Sequence, residues 1–391
     1  MVITAKIRTT SSYRSLSKVI CIVNMYLNIE CHAPSFSTAM LWVKKIGYYQ
    51  LQSPKEKADD WIIIVDESIG IGQEKVLVVL GIRQSKFDFT RPLKIQDMEP
   101  ITVKSREKWS WQDIANELEI VKAKLGTVKY AVTDAGCSLK KGLKESGITR
   151  IHDITHSIAT FLEKIYRNDN EFKAFTHQAG QMRYMLCCSK HAHLIPPNQR
   201  SKSRFLNIDI ISKWGMVALS ALDKDSLSLQ DREQLQWVKE NQSLIMEMNN
   251  LISVIENISI LLKNEGLSKH TKGKCLALLK GFKQGKLKQF REYMTAYLKE
   301  NAQQINRKTK KLICCSDIIE STFGKYKNEL SKNAMSGITD LVLIIPAFTS
   351  NLTIESVNEA IDSCTVKTIE NWKKENLCNS LIAKRKRVFC N

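Results

Sequence analysis

Two aspartates end runs of apolar residues. Asp66 closes Trp61–Asp66 (WIIIVD), and Asp134 closes Val128–Asp134 (VKYAVTD). A third acid, Glu320, lies in Asp317–Lys327 (DIIESTFGKYK), with Lys327 following it at a spacing of about two helical turns, on the same face. In an open sheet the functional crevice lies at the carboxyl ends of the strands. If the two strands are neighbours, the carboxylates converge there, and two bare carboxylates repel unless a cation lies between them. Mg2+ takes carboxylate oxygens and leaves positions for water and phosphate. A pair of Mg2+ or Mn2+ ions about 4 Å apart stabilises the attacking and leaving oxygens of a phosphoryl displacement, and Glu320 is the third acid such a pair wants. Each residue also has a plain structural reading. An Asp after a strand often serves a turn or a helix N-cap, and Asp317 with Glu320 fits a variant capping box.

The elements that must position these acids follow from the pattern. Lys75–Arg83 (KVLVVLGIR) is a second strand, joined to the first through Ser68–Gly72, and Ile101–Lys104 fits a third. Trp111, Ile114, Ala115, Leu118, Val121 and Leu125 recur at helical spacing, and Gly126 ends that helix. After the strand closed by Asp134 come a helix near Leu139–Glu145, a stop at Gly147 and a short strand at Ile148–Ile151. The order β-β-β-α-β-α-β predicts an α/β fold, a mixed sheet with helices packed on it. From Ser157 to Leu312 strand signals vanish, and Arg232–Lys263 and Cys275–Gln304 read as long helices. Leu341–Phe348 is apolar enough for a buried strand or core helix segment.

At the N-terminus, Leu16, Ile20, Val23 and Leu27 form the stripe of an amphipathic helix. Arg8, Arg14 and Lys18 before Val19–Val23 imitate a signal peptide, but Asn24 and Asn28 interrupt the run and no small-residue cleavage site follows. Ser35 or Ser37 caps a second helix expected to run to about Lys45, with Gly47 at the position of a C′ glycine. Such a capped helix with a basic end suits a helix-turn-helix reading DNA, with Lys44 and Lys45 at phosphate, or equally a helical cap on the next domain.

The 391 residues carry 59 Lys and Arg against 40 Asp and Glu, a net charge of +19. That field favours a polyanion, nucleic acid first. No run reaches the ~20 apolar residues of a membrane span, so no membrane partner is expected. Eleven scattered cysteines without a CxxC argue against a zinc finger and fit reduced thiols in a cytosol.

With these motifs in place, the sequence resembles a DDE transposase of a bacterial insertion sequence, whose RNase H-like catalytic core carries a helical insertion. The segments that carry the resemblance are Trp61–Asp66, Tyr130–Asp134 and the Glu320–Lys327 spacing, with His152–His156, Gln199–Asn207 and Pro34–Tyr49 also similar. Nearly half of the chain separates Asp134 from Glu320, and its helical texture is similar to the all-α insertion of the hAT superfamily. In the C-x-x-H element of that superfamily His156 matches, but Asp153 stands where the cysteine would be.

The resemblance implies residues 1–55 as a helix-turn-helix DNA-binding domain and 56–156 as the first part of the core. It implies 157–312 as the all-α insertion, 313–348 as the last part of the core with the glutamate helix, and 349–391 as a basic helical tail. It implies Asp66, Asp134 and Glu320 as catalytic metal ligands for two Mg2+ or Mn2+ ions. Lys325, Lys327, Arg200, Lys202 and Arg204 would contact DNA. Trp214, in the insertion, is either a base-stacking or a core tryptophan. The implied partners are element terminal repeats, target DNA and further copies of the chain in a homo-oligomer, in a bacterial cytoplasm near the nucleoid. The implied activity is DNA cleavage and strand transfer; the alternatives are a silent transposase-derived DNA-binding protein, and a nuclease or resolvase on the same core.

Overall fold

The computed structural model describes residues 1–9, 11–69, 74–199, 205, 207–224, 227–306, 309–330 and 337–389. The chain divides into two compact units. The first comprises residues 1–88, 93–151 and 316–391, and the second residues 89–92 and 152–315.

In the first unit, helices α1 (Val2–Arg8), α2 (Tyr13–Tyr26) and α3 (Phe36–Gln52) precede the sheet. Strands β1 (Ala58–Ile69), β2 (Lys75–Arg83) and β3 (Glu99–Arg106) follow, then α4 (Trp111–Leu125), β4 (Gly126–Thr133), α5 (Cys137–Glu145) and β5 (Arg150–His152). This is the expected mixed α/β order. The five strands lie in the order β3-β2-β1-β4-β5. β2 runs antiparallel to both β1 and β3, whereas β1 and β4 are parallel. Continuous β-branched and apolar runs make strands that are buried on both faces. The α4 helix starts at a Ser110/Asp113 capping box and ends at Gly126, whose φ of +92° only glycine adopts easily.

The two sheet faces separate cleanly by the alternation of side chains. Trp61, Ile63, Val65, Leu77, Val79 and Ala131 share one core with Ile114, Leu118, Leu139 and Leu143 of α4 and α5. Ile62, Ile64, Val78, Leu80, Tyr130 and Val132 are equally buried on the other face.

The second unit is helical: α6 (Ile154–Tyr166), α7 (Asn170–Leu186), α8 (Ile208–Leu222), α9 (Leu229–Glu240), α10 (Gln242–Glu265), α11 (Lys269–Leu278) and α12 (Gly285–Ala302). Two expected long helices are each divided. Arg232–Lys263 breaks at Asn241, whose side chain donates to the Trp237 carbonyl at 2.9 Å and so competes with continued helical bonding. Cys275–Gln304 breaks between Leu278 and Gly285, where Gly285 takes φ +56°. α10 is long and apolar enough by composition to cross a membrane. Its Leu244, Ile245, Met248, Leu251, Ile252 and Ile255 are buried among the helices of the unit. Gly215 on α8 makes room for Ile245: a Cβ there would lie 2.9 Å from its methyl group.

The chain then re-enters the first unit with α13 (Asp317–Glu329), α14 (Ile344–Phe348), α15 (Ile354–Ser363), α16 (Val366–Asn376) and α17 (Leu381–Phe389). Leu341–Phe348 is a buried 3-10 turn followed by α14, not a strand. The first helices also depart from expectation. α3 is capped by Ser35 as expected but continues past Lys45 to Gln52. Gly47 is therefore no cap. It lies inside the helix, where a Cβ would fall 1.7 Å from the Leu343 carbonyl oxygen. Its role is close approach of two backbones rather than termination.

Candidate metal centre near β1 and β4

β1 and β4 pair in parallel with Ile62 beside Tyr130 and Ile64 beside Val132. Ile64 with Val132 is the last pair of the ladder; Asp66 lies two residues on inside β1, and Asp134 immediately follows the end of β4 at Thr133. Side chains two apart share a face, and adjacent strands lie about 4.8 Å apart. Asp66 therefore belongs to the face of Ile64, but it does not end its strand as expected, because antiparallel pairing with β2 carries β1 on to Ile69. Asp66 and Asp134 are half-buried.

The local backbone holds each acid in place. Asp66 Oδ1 accepts from the Glu67 N–H at 2.7 Å, and Asp134 Oδ1 accepts from the Gly136 N–H at 2.9 Å. The Asp134 carbonyl accepts from the Arg150 guanidinium at 2.5 Å. Glu67 belongs to the opposite face and is tied to Lys75 at 2.9 Å. Arg150 and Gly136 were not anticipated from the sequence. The Asp-x-Gly turn was the available signal for Gly136, because an Asp side chain often bonds the N–H two residues on. A Cβ on Gly136 would sit 3.0 Å from Asp134 Oδ1, so a side chain there would crowd the carboxylate.

Glu320 arrives on α13, which packs against β1, while α3 and α14 pack against β3. α13 buries Ile319, Thr322, Phe323 and Tyr326 and leaves Glu320 half-buried. The capping-box alternative for Glu320 does not form: Ser316 is the N-cap, without a side-chain cap bond, and Asp317 is already helical. Lys327 is exposed, and Lys325 lies with its ammonium 5.5 Å from the Phe348 ring centroid.

The remaining candidate residues lie elsewhere. Lys44 pairs with Asp340 at 2.9 Å, and Lys45 donates to the Ile361 carbonyl at 2.6 Å, so both ammonium groups bind within their own unit. Arg200, Lys202 and Arg204 lie outside the described residues, as does the Gly70–Gly72 turn. In the helical unit, Asp153 is the N-cap of α6. It accepts from the His156 N–H at 2.7 Å and lies 3.1 Å from the imidazole Nδ1, so His156 helps to complete a helix cap. Trp214 stacks on Trp237 with ring centroids 6.0 Å apart.

No family model matches the chain, and no curated protein matches it. A solved structure to which it is similar is the Drosophila P element transposase strand transfer complex. The two share 13% identity over 90% of this chain and 94% of that one, with a TM-score of 0.44.

The donor set of the site is made of carboxylate oxygens, the ligand type of hard divalent cations such as Mg2+ and Mn2+. An aspartate inside β1 and one directly after β4, each accepting a backbone hydrogen bond, and a glutamate on the helix packed against β1, are of the type that suits such ions.

Proposed function

We propose that this protein is a metal-dependent DNA transposase of the DDE type, with an RNase H-like core in the sheet unit. The observation that supports the reading is the parallel pairing of β1 with β4 up to Ile64 and Val132, two residues before Asp66 and Asp134. The strand order supports it, as does the position of Glu320 on a helix against β1.

In this reading Asp66, Asp134 and Glu320 hold two Mg2+ or Mn2+ ions. Bound there, the ions polarise the phosphoryl group and stabilise the attacking and leaving oxygens. The chain's own contribution is placement and charge, which dominate phosphoryl transfer. The Glu67 and Gly136 N–H groups keep the aspartates oriented, and Arg150 anchors the backbone that carries Asp134. Lys327 and Lys325 contact the DNA backbone near the scissile phosphate. Water first frees a 3′-OH, and that hydroxyl then attacks target DNA. The partners are element ends and target DNA, with two or more copies of the chain bringing two ends together.

The test incubates the protein with labelled terminal-repeat DNA and a target plasmid in Mg2+ or Mn2+. Joined products from the wild type and none from Asp66→Ala support the reading. Equal products from both overturn the assignment of the acids, and unjoined nicks alone identify a nuclease.

A further inference from the structure

The helical unit contains a basic segment with no place in the metal chemistry. Between Gly266 and Arg291 there are eight Lys and Arg and no Asp or Glu. Some of these cations are used internally. Lys286 pairs with Glu171 at 2.7 Å and Asp169 at 3.3 Å, and Lys274 pairs with Glu265 at 3.2 Å. Lys269, Lys272, Lys280 and Lys283 have no carboxylate within ion-pairing distance among the described residues, and all except the half-buried Lys272 are exposed.

Two glycines add an independent observation. Gly273 lies inside α11 and Gly281 follows it, and a Cβ at either would meet no atom within 4 Å. Glycine weakens a helix, and here no packing or positive φ requires it. Each lies beside one of the unpaired lysines: Gly273 follows Lys272, and Gly281 follows Lys280. A glycine with open space above it, flanked by cations, permits the close approach of an anionic backbone.

The side chains also narrow the class of polyanion. Phe282 and Phe290 are buried, so the surface has no aromatic platform for unstacked bases. Cys275 and Leu279 are buried as well, and Leu278 is the one exposed large apolar side chain among the described residues of the segment, too little to enter a lipid interface. We propose that the α11–α12 segment binds the phosphate backbone of duplex nucleic acid, with Lys269, Lys272, Lys280 and Lys283 as the phosphate contacts. This surface is independent of the acid site.

The experiment measures binding of a fluorescein-labelled 30-base-pair duplex of arbitrary sequence to the full chain by anisotropy, in EDTA. The combined Lys269→Gln, Lys272→Gln, Lys280→Gln and Lys283→Gln variant should bind at least about tenfold more weakly at 100 mM salt. Its dependence of log affinity on log salt should flatten by about 3 to 4, at roughly 0.9 per phosphate contact. A charge-matched variant, Lys108→Gln, Lys140→Gln, Lys144→Gln and Lys173→Gln, should keep most of the affinity. Equal losses in the two variants, or preference for a single strand or for phosphatidylserine vesicles over duplex, overturn the proposal. Asp66→Ala should bind like the wild type here, so failure of the acid-site reading leaves this result standing. A melting temperature unchanged by the substitutions confirms that folding is not what the assay reads.

Discussion

Lys6 and Glu329 form an ion pair at 2.5 Å although 323 residues separate them in the chain. Lys6 is 1% exposed, also donates to the Ser11 carbonyl at 2.7 Å, and lies 4.5 Å from the centroid of the Tyr13 ring. The pair joins the first helix of the chain to the last residue of the helix that carries Glu320. Removing one partner leaves a poorly hydrated charge. Glu329→Ala should therefore cost about 2 kcal/mol, below the range for a fully buried pair because Glu329 retains some solvent. Urea titration of the wild type and the variant measures it. A loss under about 0.5 kcal/mol would show that the pair is energetically neutral.

Asp66 and Asp134 predict a metal-dependent reversal. If the proposed site holds, its carboxylates repel in EDTA, so Asp66→Asn should melt at or above the wild-type temperature. With saturating Mn2+ the wild type alone should gain: at a hundredfold excess over the dissociation constant the gain is about 2.7 kcal/mol. Differential scanning fluorimetry with and without Mn2+ reads both arms. A variant that gains as much as the wild type from Mn2+ would remove Asp66 from the ligand set.

Two helical glycines should respond in opposite directions. Gly47→Ala forces a Cβ to within 1.7 Å of the Leu343 carbonyl oxygen, which backbone movement alone can relieve. A loss of about 3 kcal/mol or more is expected. Gly180 in α7 has nothing within 4 Å of a Cβ. Gly180→Ala should stabilise by about 0.5 to 1 kcal/mol through helix propensity. Denaturant midpoints of the two variants give the comparison.

The cysteines set an alkaline limit on stability. Burial, followed by the charge of Asp153, pushes the Cys314 thiol up to about 12. Burial, followed by Glu265, does the same for Cys275. A raised folded-state pKa means that the neutral thiol is the form the fold accepts. The stability linked to it is complete below the ordinary thiol range and is lost as pH rises from about 8.5 toward 12. Melting temperature should fall over that interval, and Cys314→Ser or Cys275→Ser should flatten the fall. At pH 8, Cys21, Cys31, Cys137, Cys187 and Cys188, all exposed, should alkylate in the native protein, whereas Cys275, Cys314 and Cys364 should require denaturant.

Much of the sheet was legible because continuous β-branched runs have few other uses. Lys75–Arg83 coincides with β2, and Trp111–Leu125 with α4. The apolar run ending in Asp66 lies inside β1, which continues to Ile69, and the run ending in Asp134 covers the latter part of β4, which stops at Thr133. Breaks inside helical texture were less visible. Asn241 ends a helix through a side-chain bond to Trp237 that periodicity cannot express, and the apolar spacing simply continues across it.

The sequence alone therefore determined which local segments become strands and helices, since propensity and burial period are properties of neighbouring residues. It also determined the acids that end two apolar runs and the acid-free basic run from Gly266 to Arg291. Only the tertiary structure decided that β4, rather than β2 alone, lies against β1, and that β1 continues past Asp66 to Ile69. Only the tertiary structure, too, divided the lysines between those bound internally, such as Lys44 to Asp340, and those left facing solvent, such as Lys269. The reason is the same for both. Strand pairing and ion pairing join residues far apart in the chain, and their energies depend on distances that no local pattern encodes.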